Sequence, residues 1–194
     1  MDRVVSKIAQ LNEIGIALSA ATDVDVLCDK ILSGAMALTG ADGGSLYKMS
    51  EDKTSLEFVI VTTYSLDIHM GGCSGHEIRF PAIPLMVNDQ PNKSNVVSSA
   101  VHDEQTINIT DAYHAEGFDF SGTRKFDQQT GYRTRSILTI PLTNHHKEII
   151  GVLQLINAKD EVTGETREFS KADQQLAESL ASQAAVAITN NRLI

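Results

Sequence analysis

The chain has 194 residues, 42% of them hydrophobic and 21% charged, which is enough for one compact core in an ordinary globular composition. The formal net charge of -9 and the pI of about 5.0 argue against a nucleic-acid groove or an anionic membrane surface as the main partner. No run approaches the ~18 apolar residues that a bilayer span needs, and the N-terminus lacks the pattern of a secretory signal. Two cysteines, Cys28 and Cys73, lie far apart in the sequence and suggest reduced thiols in a cytoplasmic setting.

Residues 1–20 carry Val4, Ile8, Leu11, Gly15 and Leu18 at spacings of four and three, the period of one helix stripe, which Val5, Ile14 and Ile16 widen. The stripe serves packing on its own domain, a seam with a second copy, or both. Residues 1–20 therefore read as a dimer or linker helix ahead of a domain over 21–194. Thr22 or Asp23 can cap a second helix whose apolar face is Val24, Leu27, Ile31, Ala35 and Leu38, with Gly40 ending it. Gly43-Gly44 reads as a break that opens a strand over 45–49, and 56–64 supplies its hairpin partner.

Residues 65–95 combine a glycine loop (Gly71, Gly72, Gly75), a possible short strand over 77–80, and Pro81 and Pro84 as interruptions. His69, Cys73 and His76 fall close together there, but the spacing matches no zinc pattern and needs a further ligand. A short helix over 95–103, capped by Ser94 or Asn95, precedes a strand over 106–110. Two more strands, 136–142 and 149–156, form a second hairpin, and 157–168 reads as a polar loop. Ser170 and Asp173 resemble a capping box for a final helix over 170–194 carrying Leu176, Leu180, Ala184, Ala187 and Ile188. That helix has no stop signal, so continuation into a further domain is expected. Hairpin connections and the lack of GxGxxG and GxxxxGK[ST] predict an α+β fold on an antiparallel sheet.

The segment from Asp111 to Pro141 concentrates the polar chemistry. A strand alternation puts Thr134, Ser136, Leu138 and Ile140 on one face, polar at its entry and apolar deeper in, as at a pocket rim. Arg133, Arg135, Ile137 and Thr139 share the other face. Asp127, Thr130 and Thr134 could meet a ligand that both donates and accepts, such as a purine edge. Equally, Asp127 caps a turn and Thr130-Gly131 ends a short helix. Arg124, Lys125, Arg133 and Arg135 form a local basic spot or a solvated outer face. No GxSxG, HExxH, CxxC or serine–histidine–acid pattern supports a nucleophilic enzyme, and Cys28 reads as core.

FDQQTGYRTRSILTIPL, IIGVLQLINAKD and FSKADQQLAESLASQAAVAITN together closely resemble a GAF domain, of the branch found in cyclic-nucleotide phosphodiesterases and bacterial multidomain signalling proteins. The resemblance implies a central six-stranded antiparallel sheet, terminal helices on one face and a small-molecule pocket on the other. It implies regulation of a linked output domain rather than catalysis, through a bound small molecule, which is a cyclic nucleotide in some members, or through dimerisation; the terminal helices without stop signals point to a homodimer. By position it assigns ligand contacts to Ser45, Asp127, Thr130, Thr134 and Gln154, and a phosphate approach to Val97, Ser98 and Ser99. Asn157, Phe169 and Asp173 match the family's structural motif. Ala158 and Gln174 replace its lysine and glutamate, which leaves Asp173 as a helix cap. The alternatives implied are a ligand-free dimerisation and relay module, or an enzyme that reduces free methionine sulfoxide with clustered cysteines. A tetrapyrrole on Cys73 would lack its usual histidine, because Ser74 follows.

Overall fold

The computed structural model describes residues 2–192. The predicted helix ends at Met1 and Ile194 lie outside them. The helices are α1 (Asp2–Ala20), α2 (Val24–Thr39), α3 (Val96–Asp103), α4 (Ser121–Thr130) and α5 (Lys171–Arg192). The longer strands are β1 (Ala41–Met49), β2 (Ser55–Thr63), β8 (Ile137–Thr143) and β9 (Ile149–Lys159). Between and beyond them come β3 (Ile68–Gly71), β4 (Ile83–Pro84), β5 (Met86–Val87), β6 (Gln90–Pro91), β7 (Ile107–Ile109) and β10 (Thr166–Arg167). The main sheet runs β3-β2-β1-β9-β8-β7, all antiparallel, so the six-stranded sheet expected is present. β4 adds to β2 and β10 to β9, while β5 and β6 pair separately.

Caps set the helix boundaries. Asp23 Oδ1 accepts from the amides of Asp25 and Val26 at 2.8 and 3.2 Å, satisfying donors that α2 cannot use itself. Gly40 closes α2 in the left-handed conformation (φ 74°), donating its amide to Met36 O. Leu46, Leu138, Ile140, Leu142, Leu153 and Leu155 project from one sheet face. They meet Leu27, Ile31 and Leu32 of α2, and Ala177, Leu180, Ala181 and Ala184 of α5. Each fully buried leucine stabilises this layer by roughly 1.5–3 kcal/mol. α1 joins it through Leu11 and Leu18 while Val4, Val5, Ile8 and Ile16 stay exposed.

Several elements differ from the expectation. Gly43 and Gly44 belong to β1 rather than breaking the chain. A Cβ at Gly44 would lie 2.7 Å from Leu32 Cδ1, so the glycine is what lets α2 lie against this strand. Residues 77–80 form no strand; β2 pairs instead with β3, after a 3-10 turn (Tyr64–Leu66) that reverses the chain at Asp67. The polar stretch after residue 156 is partly sheet, because β9 continues to Lys159 and pairs with β10. The segment between Asp111 and Arg135 contains α4, and β8 begins only at Ile137.

Candidate functional site

The sheet face away from α1, α2 and α5 holds a cavity of about 360 Å³. Its floor is a cross-strand row. Ser45 pairs with Gln154 and Gln154 with Thr139, so alternate residues of three strands face the same way. Gln154 Nε2 donates to Thr139 Oγ1 at 3.0 Å, and its Oε1 accepts from the Tyr47 hydroxyl at 3.4 Å. Burial pushes the pKa of that hydroxyl up, against a smaller lowering by Ser45, so Tyr47 stays neutral and can donate. Ile137 and Ile156 complete the floor. Val96 and Val97 close one side, Gly122, Thr123 and Phe126 another, and Phe58, Phe80 and Ile83 border it on the β2 side.

Local chemistry positions the walls. Asn95 caps α3, its Oδ1 accepting from the amides of Val97 and Ser98 at 2.9 and 3.2 Å. The Asp119 amide donates to Ser94 O at 2.8 Å and ties the entry of α4 to the entry of α3. Gly122, Thr123 and Phe126 share one face of α4 at helical spacing. Sequence reasoning missed Phe58, Phe80, Phe120 and Phe126 as lining residues. Recognising residues 121–130 as a helix would have placed Phe126.

The residues named from the sequence divide. Ser45, Thr134 and Gln154 line the cavity, Thr134 from the turn after α4. Asp127 is 4% exposed and turned into its own chain. Its Oδ2 accepts from the Tyr113 hydroxyl at 2.6 Å and the Thr134 amide at 2.8 Å, and its Oδ1 from Thr134 Oγ1 at 2.8 Å. Thr130 is exposed and donates to Phe126 O, while Gly131 ends α4 with φ 75°. This is the turn-capping alternative. Ser98 and Ser99 are buried behind Val96 and Val97 and do not line the cavity. The Ser98 hydroxyl has no partner among the described residues.

The strand-face assignment is corrected. Leu138 and Ile140 face the terminal helices, and Ile137 and Thr139 face the cavity side. Residues 131–136 are irregular, so the alternation cannot be carried back through Thr134. The arginines are structural. Arg133 binds both oxygens of Asp111 at 2.9 and 3.0 Å and lies 3.7 Å from the centre of the Tyr113 ring, with Arg124 4.2 Å from it. Burial raises the Asp111 pKa, but the Tyr113 amide and Arg133 outweigh it and hold the carboxyl below its ordinary value. The hydrogen bond to Asp127 raises that of Tyr113. Tyr132 donates to Asp42 Oδ2 at 2.7 Å, and Ser65 donates to the same carboxylate.

The distal motif is also structural. Asn157 adopts φ 54°, accepts from the Arg135 amide at 2.6 Å and donates to Arg133 O at 2.8 Å. Phe169 is buried in the helical layer. Asp173 Oδ2 accepts from the Ser170 amide at 2.8 Å while Ser170 Oγ accepts from the Asp173 amide at 3.0 Å. Arg167 pairs with the same Asp173 oxygen at 2.6 Å, so Asp173 has a cationic partner although Ala158 stands at the motif's lysine position.

Cys28 is buried in the helical core and Cys73 is exposed after β3. The Cys73 thiol is pushed up to about 11, first by its hydrogen bond to Asp29, then by desolvation and the charges of Asp29, Asp23 and Asp25. Among the described residues no His, Cys, Asp and Glu group is placed to hold a metal ion. No described helix is long and apolar enough to cross a membrane. A second groove of about 460 Å³ runs between α1 and α5, lined by Leu18, Gln183, Val186 and Asn190 among others.

The model of the family described as GAF domain matches residues 23–188. The chain belongs to the GAF domain family. GAF domains are regulatory sensory domains of signalling proteins. A cGMP-specific 3',5'-cyclic phosphodiesterase of Drosophila sechellia is 30% identical over 176 residues, 88% of this chain but 13% of that protein. This chain therefore spans a small part of such relatives. The GAF domain of a phosphoenolpyruvate-protein phosphotransferase from Coxiella burnetii superposes with a TM-score of 0.72 at 14% identity, covering 98% of this chain and 96% of that one. Free methionine-R-sulfoxide reductase from Neisseria meningitidis gives a TM-score of 0.68 at 14% identity, covering 100% of this chain and 94% of that one. At 14% identity both likenesses speak to the fold alone.

Proposed function

We propose that this GAF domain is a regulatory, non-catalytic module that binds a small organic molecule in the sheet-face cavity and relays occupancy through its terminal helices to a linked output domain. The observation that carries this reading is the cavity, where the hydrogen-bonding groups of Ser45 and Gln154 meet an aromatic lining. Its volume of about 360 Å³ lies at the lower end of the roughly 300–1,000 Å³ typical of ligand sites. A relay is supported by polar contacts between layers. Tyr132, just after α4, holds Asp42 in β1, and Arg167 joins Thr39 O at the end of α2 to the Asp173 cap of α5.

A cyclic nucleotide is the second reading, favoured by the name of the Drosophila relative. Calorimetry with cAMP, cGMP and cyclic dinucleotides tests it, beside native mass spectrometry of the purified chain for a retained ligand. Silence in both experiments sinks the small-molecule reading and favours a ligand-free dimerisation and relay module. Neither Cys28 nor Cys73 lines the cavity, and the raised Cys73 pKa works against thiolate chemistry, so methionine sulfoxide turnover is not expected. The reading places the domain in a reducing, cytoplasmic compartment. It pairs two copies through the exposed stripe of Val4, Val5, Ile8 and Ile16 on α1.

A further inference from the structure

The charge around the cavity limits what can enter. Asp119 is exposed at its edge, and among the described residues it is the one ionisable acid or base apart from Tyr47 in the lining. The Ser121 amide, donating to its Oδ1 at 2.9 Å, is the main cause holding its carboxyl below the ordinary range, so it is ionised at neutral pH. Among the described residues the lining includes no lysine, arginine or histidine. The bordering end of α3 is already satisfied, because Asn95 takes the Val97 and Ser98 amides with its side chain and the Ser99 amide with its carbonyl. An anion here would lose water without gaining a cation or those three amides, and at the start of α4, where Phe120 gives no side-chain cap, it would meet the ionised Asp119. The net charge of -9 on the whole chain opposes it further.

The floor shows what can enter instead. A glutamine amide has two N–H donors and two acceptor lone pairs. Gln154 uses one donor on Thr139 and one acceptor on Tyr47. One donor and one acceptor remain, adjacent on a planar group that borders the cavity. Exchanging the amide oxygen and nitrogen, with both hydroxyls reversed, leaves the same pair. Its complement is an edge carrying an N–H beside an acceptor, as in a lactam. Tyr47, Phe58 and Phe80 form an aromatic series beside it, with ring centres 4.5 and 5.3 Å apart in succession, and Phe120 and Phe126 line the α4 side. Such faces favour a flat ring.

We infer that the ligand is an uncharged planar heterocycle with an adjacent donor and acceptor on one edge, read by Gln154, and that the cavity gives a phosphate no favourable contact. This rests on the small-molecule reading of the same cavity. The test is calorimetry of the chain with inosine, 1-methylinosine and inosine 3',5'-cyclic phosphate. These share one ring and differ in the edge donor or the charge. The expected result is that inosine binds, that blocking its N–H weakens binding at least about tenfold, and that the phosphate brings no gain. Gln154→Leu should erase the preference for inosine over its methylated form. Phe80→Ala, at a position 39% exposed and tolerant of change, should weaken both nucleosides alike by roughly five- to a hundredfold.

Equal binding of inosine and 1-methylinosine overturns the inference. So does a cyclic phosphate that binds more than about tenfold tighter than inosine, roughly 1.4 kcal/mol, although that result leaves the small-molecule reading standing. If none of the three binds, the inference falls. Native mass spectrometry then decides the wider reading: a retained adduct keeps it, and a bare chain removes both.

Discussion

Replacing Asp127 by alanine separates a structural clamp from a ligand contact. The carboxylate accepts three hydrogen bonds, from Tyr113, the Thr134 amide and Thr134 Oγ1. Thr134 is 3% exposed, so both of its donors would be left buried without a partner. Each such orphan costs about 1–3 kcal/mol. Tyr113 is half-buried and its hydroxyl can turn to water. The expected loss is therefore about 3–5 kcal/mol, or roughly 6–20 °C in Tm for a chain of this size. Asparagine keeps most of the pattern. Its oxygen serves the Oδ2 partners and its nitrogen donates to a reversed Thr134 hydroxyl, for a loss of about 1 kcal/mol. Urea unfolding of the wild type and both variants reads these differences as midpoint shifts at constant slope. An alanine variant within about 1 kcal/mol of wild type that has lost ligand binding would refute the clamp and turn Asp127 toward the ligand.

Other expectations follow from the same contacts. Asp173→Ala should destabilise the domain by about 1–2 kcal/mol by removing the α5 cap, and Arg167→Ala should cost less in that background than alone, because the two share one carboxylate while the bond of Arg167 to Thr39 O is independent of it; a double-mutant cycle by urea unfolding checks this. The folded-state pKa of Asp111 lies below its unfolded value, so its stabilisation is present above roughly pH 4 and is lost as pH falls through the folded value. Asp111→Asn should flatten that acid limb in pH-dependent thermal melts. With a thiol pushed up to about 11, Cys73 should react slowly with iodoacetamide near neutral pH despite its exposure, and Asp29→Asn should accelerate labelling about tenfold or more. Ile16→Lys, at a position 72% exposed on α1, should leave the melting temperature nearly unchanged and reduce self-association in sedimentation velocity.

Much of the fold was legible because its signals are local. Asp23 and Gly40 bound α2, Asn95 caps α3, and Ser170 and Asp173 cap α5, each through neighbours within four residues in the chain. Apolar periodicity marked the helices of the core layer, and two hairpins pointed to an antiparallel sheet. The resemblance of the TGY and GVLQLIN stretches carried the family. It also named Ser45, Thr134 and Gln154, which do meet at one cavity.

What tertiary structure alone decided depends on partners distant in sequence. Asp127 reads equally as a cap or a ligand contact until Tyr113, fourteen residues away, is seen to occupy it. Tyr132 gains its partner Asp42 across 90 residues, and Arg167 finds Thr39 across 128. Gly43 and Gly44 look like a break because glycine usually marks one; in β1 they make room for Ile156 and Leu32. The cavity shows the same limit. Its aromatic lining comes from β1, β2, the segment before β4 and α4, and no short window of sequence contains more than part of it. Local propensity shaped each element, but the charge and hydrogen-bonding capacity of the site arose only when those elements met.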